Sequence, residues 1–375
     1  MSLAPITPYM LDQSRRPRRR GAANNFTQLL RTGVLITLLG LGFLAAFMPM
    51  PGQAAQLGAS GSFEAFVGSL WPQARARGVS RETFEAAFRG VTPDPSVLAK
   101  TQKQAEFVKP VGEYLEKAVS QNRIERGRGR GAEFKSALER IDRKYGVDPY
   151  IVLGVWGMET NFGSFSGDND VIRALATLAH ARYRGDFFRK ELLTALQILQ
   201  QRHVPRAGFQ GSWAGAMGQT QFMPSSFVAY AVDFDGDGRK NIWTDIPDAL
   251  ASTANYLKKH GWIDGETWGY EVRLPSGFDP SGHGPTSYHD FAYWARQGFA
   301  RADRESMPKS GRAALLLPAG AHGPAFLVTP NFKVIKSYNN STSYALGVAL
   351  LGDRLAGGPG VVARWPSAQR QADAR

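Results

Sequence analysis

Asp148-Pro149-Tyr150-Ile151-Val152-Leu153-Gly154-Val155-Trp156-Gly157-Met158-Glu159-Thr160 is the stretch on which the reading of this chain turns. Asp148 is placed to cap the free N–H groups of a helix, and Pro149 at the first helical position has no N–H to waste. From Tyr150 to about Thr160 the residues Ile151, Val152, Leu153, Val155, Trp156 and Met158 are apolar almost all round, so the predicted helix is buried rather than amphipathic. Glu159 is its only interior charge. A carboxyl among apolar and aromatic neighbours has its charged form disfavoured, which raises its pKa and leaves it able to donate a proton near neutrality. The plainer reading is that Glu159 pairs with an arginine at the edge of the core, and the helix alone does not choose between the two.

Outward from this helix the pattern stays helical. On the N-terminal side Phe63, Phe66, Val67, Leu70 and Trp71 share one face, and Ser80 is placed to cap a helix over Glu82–Phe88. The stretch Asn122–Gly131, which carries Arg-Gly-Arg-Gly, reads as a solvated loop, although its arginines could also touch an anionic strand. A second helical block runs from Glu133 to Gly261, broken by Gly-rich loops around Gly163–Asp170 and Gly208–Gln221. Between Trp262 and Asn331, the runs Gly269–Leu274, Ala314–Leu317 and Phe326–Thr329 are short, apolar or alternating, and bounded by Pro and Gly, which predicts a small β-rich insertion. Phe332–Leu355 returns to helix after the polar run Ser337-Tyr338-Asn339-Asn340-Ser341, and the tail from Gly357 reads as disordered.

Three separated motifs carry a specific resemblance. They are Glu159-Thr160-Asn161-Phe162-Gly163, the run Ser212-Trp213-Ala214-Gly215-Ala216-Met217-Gly218-Gln219-Thr220-Gln221-Phe222-Met223-Pro224-Ser225, and Tyr338-Asn339-Asn340-Ser341-Thr342-Ser343-Tyr344-Ala345. In this order the chain resembles the membrane-bound lytic murein transglycosylase B family from about Phe63 to Leu355. The resemblance implies a mainly α (α+β) protein. A lysozyme-like core is expected over 133–261, with an N-terminal helical region over 56–132, a small β-rich insertion over 262–331, a return to the core over 332–356 and a disordered tail over 357–375.

Carried onto these residues, the resemblance implies that Glu159 is the single acid/base, that Gln219 and Gln221 line a saccharide groove, and that Tyr338, Asn339 and Tyr344 lie near the carboxyl. Met217 and Phe162 complete the substrate-contact candidates. The residue types agree in kind: Gly215 and Gly218 let backbone approach a ligand, glutamine amides both donate and accept, and Trp213 or Phe162 offer rings to stack on sugars. A structural role stays open for Gln219, and a core role for Trp213. Most glycosidases use two carboxyl groups, roughly 5–5.5 Å apart for retention and 6.5–9.5 Å for inversion. Asp168 and Asp170 are the nearest acidic residues in sequence, but their Gly/Ser/Asp loop suits solvated or capping roles better. The resemblance implies no second carboxylate. It implies instead that the muramyl N-acetyl group stabilises the anomeric centre and the C6 hydroxyl displaces it, cleaving the MurNAc–GlcNAc β-1,4 bond with 1,6-anhydro ends. The rivals are a hydrolytic muramidase and an inactive wall-binding protein.

Asp233-Phe234-Asp235-Gly236-Asp237-Gly238-Arg239 reproduces the first half of an EF-hand loop: oxygen ligands at positions 1, 3 and 5, the turn Gly at 6, and the Arg239 carbonyl at 7. Position 12 is Thr244 rather than Glu, and the resemblance points to Asp248 as the missing ligand. A structural Ca²⁺ is therefore expected, and no organic cofactor. The plain alternative is an Asp/Gly turn.

The beginning of the chain differs from the rest. Arg15, Arg16, Arg18, Arg19 and Arg20 precede an uncharged run from Gly33 to Met48, then small residues through Ala54 and Ala55, the order of a secretory signal peptide over 1–55. A retained membrane anchor is the alternative, since the run is near the lower limit of about 17–25 residues for a spanning helix. The six arginines and Asp12 of this leader hold +5 of the formal +13, leaving about +8 on the rest, a balance suited to anionic wall polymers. There is no cysteine, so the fold rests on its core or a bound ion. No nucleic-acid module, metal-hydrolase histidine spacing, Gly-x-Ser-x-Gly elbow or phosphate loop occurs. The expected protein is a periplasmic monomer whose partner is the peptidoglycan glycan strand, with other cell-wall enzymes as further candidates and no nucleic acid.

Overall fold

The computed structural model describes residues 62–102 and 110–366. The leader expected over 1–55 lies outside the described residues. Six helices precede the apolar helix: α1 (Phe63–Ala76), α2 (Arg81–Phe88), α3 (Pro95–Gln102), α4 (Val111–Ala118), α5 (Gln121–Glu133) and α6 (Lys135–Tyr145). The apolar helix itself is α7 (Pro149–Thr160), followed by α8 (Val171–His180), α9 (Phe187–Gln200), α10 (Pro224–Tyr230) and α11 (Ile246–Lys259). Two-residue strands β1 (Asn169–Asp170) and β2 (Gln210–Gly211) pair antiparallel beside the Gly-rich loops.

Local chemistry sets many of these boundaries. Asp148 Oδ1 accepts the Tyr150 N–H at 2.8 Å to start α7, Ser80 Oγ accepts Thr83 N–H at 3.1 Å to start α2, and Asp245 does the same for α11 through Asp248 N–H at 2.9 Å. Each satisfies an N–H that the first helical turn leaves unpaired. The helix α7 ends at Thr160 because Asn161 and Phe162 adopt left-handed backbone, φ 50 and 59, which aims the chain into the loop that follows.

The insertion contains β3 (Gly269–Arg273), β4 (His289–Asp290), β5 (Ala300–Arg301), β6 (Arg312–Leu316) and β7 (Ala325–Val328), with α12 (Phe291–Arg296) packed on it. The strands form one antiparallel sheet in the order β4-β6-β7-β3-β5. Alternate residues of a strand face opposite sides, and here both sides are covered. Ala314, Leu316, Phe326 and Val328 join the main core, while Ala313, Leu315, Ala325 and Leu327 meet Val272, Phe291, Trp294 and Phe299 in a second one. The chain returns through α13 (Pro330–Tyr338) and α14 (Thr342–Leu355).

The helices α7 and α14 lie unusually close. A Cβ on Gly154 would sit 2.5 Å from the Val348 carbonyl oxygen, one on Gly157 would meet the Leu351 side chain at 2.7 Å, and one on Gly352 would meet the Tyr150 carbonyl oxygen at 3.0 Å. Glycines on both helices thus let backbone pack on backbone, and the register of the pair brings the start of α14 beside the end of α7.

Two expectations are corrected. The stretch Asn122–Gly131 is helix rather than loop, within α5. Arginine is a good helix former. Two of its glycines sit where packing leaves no room for a side chain: a Cβ on Gly127 would lie 2.4 Å from the Phe162 ring, and one on Gly131 3.0 Å from Leu153. The tail is not disordered from Gly357: residues 357–366 form a strap. Glu271 of β3 accepts the Val362 and Ala363 N–H groups at 2.7 and 2.8 Å, and Trp365 stacks on Phe326 and packs over Gly112. The remainder of the expected tail, 367–375, lies outside the described residues.

If the α7–α14 contact governs stability, Gly154→Ala loses roughly 1–3 kcal/mol through overpacking. Gly68→Ala in α1, where an added Cβ meets nothing within 4 Å, gains up to about 1 kcal/mol from helix propensity. Urea denaturation of both variants reads the difference, and equal stability of the two would remove the contact from its central place.

Candidate active site

Glu159 stands one residue from the end of α7, half-buried, on the side facing α14. The Tyr344 hydroxyl donates to its Oε1 at 2.5 Å. Burial raises its pKa to about 7, against the lowering effect of that hydrogen bond. No arginine or lysine contributes to holding it ionised, and no neighbouring carboxylate adds to the rise, so among the described residues it is neither half of an ion pair nor half of an acidic dyad. The plainer reading of Glu159 as an arginine's partner therefore finds no support. Tyr344 and Tyr338 are both buried, and burial together with the Glu159 charge pushes both phenols well above their ordinary range. The surroundings thus consist of hydroxyl groups that stay protonated around one carboxyl able to switch.

The loop after Glu159 is pinned from within. Thr160 Oγ1 accepts the Gly163 N–H at 3.1 Å and donates to the Gln219 carbonyl at 3.2 Å, joining the first motif to the second. The second motif is a tight turn-rich segment in which Met217 and Phe222 exchange backbone hydrogen bonds at 2.8 and 3.2 Å. Gly218, φ 62, lies so close to Ile242 that a Cβ would come 2.5 Å from its carbonyl oxygen.

Of the substrate-contact candidates Gln221 alone is half-buried, while Tyr338, Asn339, Tyr344, Gln219, Met217 and Phe162 are buried. Tyr338 sits beside the carboxyl's neighbourhood with its hydroxyl donating to the Thr220 carbonyl at 2.7 Å, and Asn339 terminates α13 with its Oδ1 accepting Ser341 N–H at 3.0 Å. Gln221 is half-buried, and its Nε2 donates to the Ser166 and Gly218 carbonyls, both at 2.9 Å. Three others are bound into the packing. Gln219 is buried with its amide committed: Oε1 accepts the Trp156 indole N–H at 2.8 Å and Nε2 donates to the Trp243 carbonyl at 3.1 Å. Its work is to fix α7 to the second motif. Met217 is fully buried, and Phe162 is 3% exposed with its ring edge-on to Trp156. Trp213 is half-buried and packs against the main core.

Of the two nearest acidic residues, Asp170 caps α8 through Arg173 N–H at 3.0 Å and pairs with Arg206 at 2.6 Å, while Asp168 is exposed. Sequence reasoning missed Tyr114 in this neighbourhood and reached Arg123 only as one arginine of the Asn122–Gly131 stretch. Tyr114 on α4 has its phenol pushed up to about 12 by burial and by the Glu159 charge. Arg123 on α5 donates to Asn161 Oδ1 at 3.2 Å. Neither carries a local signal, because α4 and α5 reach the site only through their packing on α14 and α7. Phe165, 69% exposed in the loop after Glu159, is an aromatic the sequence also did not single out.

The acidic loop brings Asp233, Asp235 and Asp248 together, with one oxygen from each within 4.8 Å of the others. Asp237 stands outside this cluster, and its carboxylate accepts the Arg239 N–H at 2.8 Å. Asp248 is 1% exposed. Burial pushes its carboxyl up to about 6, opposed by the Phe234 and Asn241 N–H groups and reinforced by Asp245 and Asp235. Three carboxylate donors crowded together, one of them buried, fit a divalent cation such as Ca²⁺.

Comparison with known proteins agrees with this geometry. Residues 62–353 match the sequence profile of a family described as the transglycosylase SLT domain. The membrane-bound lytic murein transglycosylase B of Escherichia coli (strain K12) is 36% identical over 250 residues, which is 65% of this chain and 66% of that protein. The chain thus spans about two thirds of that relative's length. SltB3 from Pseudomonas aeruginosa, solved in complex with NAG-anhNAM-pentapeptide, is 48% identical with a TM-score of 0.80, covering 82% of this chain and 83% of its own. The Escherichia coli lytic transglycosylase SLT35, solved in complex with calcium, is 31% identical with a TM-score of 0.66, covering 78% of this chain and 92% of its own.

Proposed function

The chain belongs to the transglycosylase SLT domain family, and from that premise we propose that it is a lytic transglycosylase cleaving the MurNAc–GlcNAc β-1,4 bond of peptidoglycan with Glu159 as its one acid/base. The observation that carries the reading is the isolated carboxyl itself. Burial leaves Glu159 with a pKa of about 7, where a group is almost equally ready to give and to take a proton.

The reaction needs both acts from the same group. Protonated Glu159 gives its proton to the glycosidic oxygen as the bond to the muramyl C1 breaks, and the GlcNAc hydroxyl leaves. The carbonyl oxygen of the muramyl N-acetyl group closes on C1 in its place. Glu159, now a carboxylate, takes the proton of the C6 hydroxyl, whose oxygen attacks C1 and releases the N-acetyl oxygen. The product carries a 1,6-anhydro ring, no water is consumed, and Glu159 ends protonated as it began. Tyr344 steadies the carboxylate between the two steps through the hydrogen bond at 2.5 Å. Gln221 is the half-buried polar candidate for the sugar, its amide carbonyl suited to accept from an N-acetyl N–H, and the buried Tyr338 and Asn339 back the site.

A bound Ca²⁺ held by Asp233, Asp235 and Asp248 serves the fold rather than the chemistry, tying α11 to the loop that follows α10 in a chain without cysteine. The site of action is the periplasm, reached through the Arg-then-apolar leader. Among the described residues no helix is long and apolar enough to cross a membrane.

Digestion of purified peptidoglycan tests the chemistry. The wild type is expected to release muropeptides with 1,6-anhydro ends, each one water lighter than a reducing end, and Glu159→Gln to lose activity on the order of 10²–10⁴-fold or more. Reducing ends would make the enzyme a hydrolase, and an active Glu159→Gln would take the residue out of the mechanism. For the metal, saturating Ca²⁺ is expected to raise Tm by preferential binding to the folded state, about 2.7 kcal/mol at one hundred times Kd. Asp235→Asn should abolish that rise, and an undiminished rise in the variant would overturn the ligand set.

A further inference from the structure

Arg123 is a cation at the edge of the active site with no carboxylate partner among the described residues. Its Nε donates to Asn161 Oδ1 at 3.2 Å, its Nη1 donates to the carbonyls of Ala118 and Lys117 at 2.8 and 3.4 Å, and the Met158 sulfur lies 4.0 Å from Nη1. All of these partners are neutral, and Nη2 has none among the described residues. Among the other half-buried arginines, Arg130 meets Glu133, Arg173 meets Asp94, Arg206 meets Asp170 and Arg301 meets Asp303, while Arg189 and Arg354, like Arg123, donate to carbonyls, and of these three Arg123 is the one bonded to the loop after Glu159. Arg123 is also half-buried, and burial lowers its pKa. A charge kept at that cost without a counter-ion calls for one from outside.

Its position says where that counter-ion comes from. Met158 precedes Glu159 and Asn161 follows it by two residues, so the guanidinium is clamped to the loop that carries the acid. The Tyr114 phenol feels the charges of both Glu159 and Arg123 and so lies near each. The partners of Arg123 there are neutral, so its charge is free for a ligand beside it. The contacts to Nε and Nη1 fix the plane of the fork, while the Nη2 edge stays open for an oxygen acceptor.

We infer that Arg123 binds a carboxylate of the muramyl unit being cleaved, an assignment that rests on the peptidoglycan reading above. A muramyl residue presents one in either of two forms. Without a peptide stem its lactyl group ends in a carboxylate. With a stem the lactyl group is an amide, and carboxylates occur along the peptide instead. Arg123 makes the enzyme sensitive to that charge, in addition to the shape of the sugar.

Binding of four probes to the Glu159→Gln protein, which holds them without turnover, distinguishes the sources. The probes are GlcNAc–MurNAc with a free lactyl carboxylate, its methyl ester, GlcNAc–MurNAc–pentapeptide, and the same pentapeptide with its carboxylates amidated. One charged probe is expected to bind on the order of tenfold more tightly than its neutralised partner. Adding Arg123→Met should bring that ratio to about one, and Arg123→Lys should keep part of it. Whichever pair responds names the source of the carboxylate. A ratio that survives Arg123→Met, an equal loss for all four probes, or no charge preference in either pair overturns the assignment. Anhydro ends formed by the enzyme with Glu159 intact are measured separately, so failure here with anhydro products still formed sinks the Arg123 inference alone.

Discussion

Backbone contact between α7 and α14 is the constraint from which the site follows. The Val348 carbonyl approaches Gly154 to a distance that no larger residue permits, and that closeness fixes both the spacing and the register of the two helices. Glu159 lies near the end of α7 and Tyr344 near the start of α14, 185 residues apart in sequence, and the register alone makes them neighbours. Once they meet, the surrounding apolar packing does the electrostatic work. It shields from water a carboxyl that, among the described residues, has one hydroxyl partner and no cation, and the neutral form gains.

The same packing explains which motif residues can act on a ligand. Trp156 fills the core beneath the site, and its indole N–H must find an acceptor in a place water does not reach. Gln219 supplies it, which turns a residue with the look of a sugar ligand into a strut. Phe162 follows a similar logic. Its left-handed backbone turns the ring inward onto Trp156 and Gly127.

Much of this was legible in the chain. The Asp-Pro start of α7, the absence of any polar face on it, and the isolated Glu159 were local facts, and the strands at Gly269, Ala314 and Phe326 announced themselves by their alternation between Gly and Pro. What could not be read was anything decided by a distant partner. The Arg-Gly run of α5 has the composition of a loop, and only the presence of Phe162 and Leu355 against Gly127 makes glycine there a packing requirement. The strap over 357–366 is held by a carboxylate on β3, and no feature of the strap itself forecasts that. Sequence likewise gave no means to tell Gln219 from Gln221, two positions apart in one motif, because the difference lies in which of them faces Trp156.

The central claim is that one buried carboxyl, neutral enough to donate and acidic enough to accept, serves both halves of the reaction. Titration of the Glu159 side-chain carboxyl by ¹³C NMR measures this directly. The expected midpoint is about 7 in the wild type, so the acid form needed for bond cleavage is present below that pH and is lost as pH rises through it. Tyr344→Phe should move the midpoint upward, since the lost hydrogen bond favoured the charged form. A midpoint near the ordinary glutamate value of about 4.3, unmoved by Tyr344→Phe, would contradict the account.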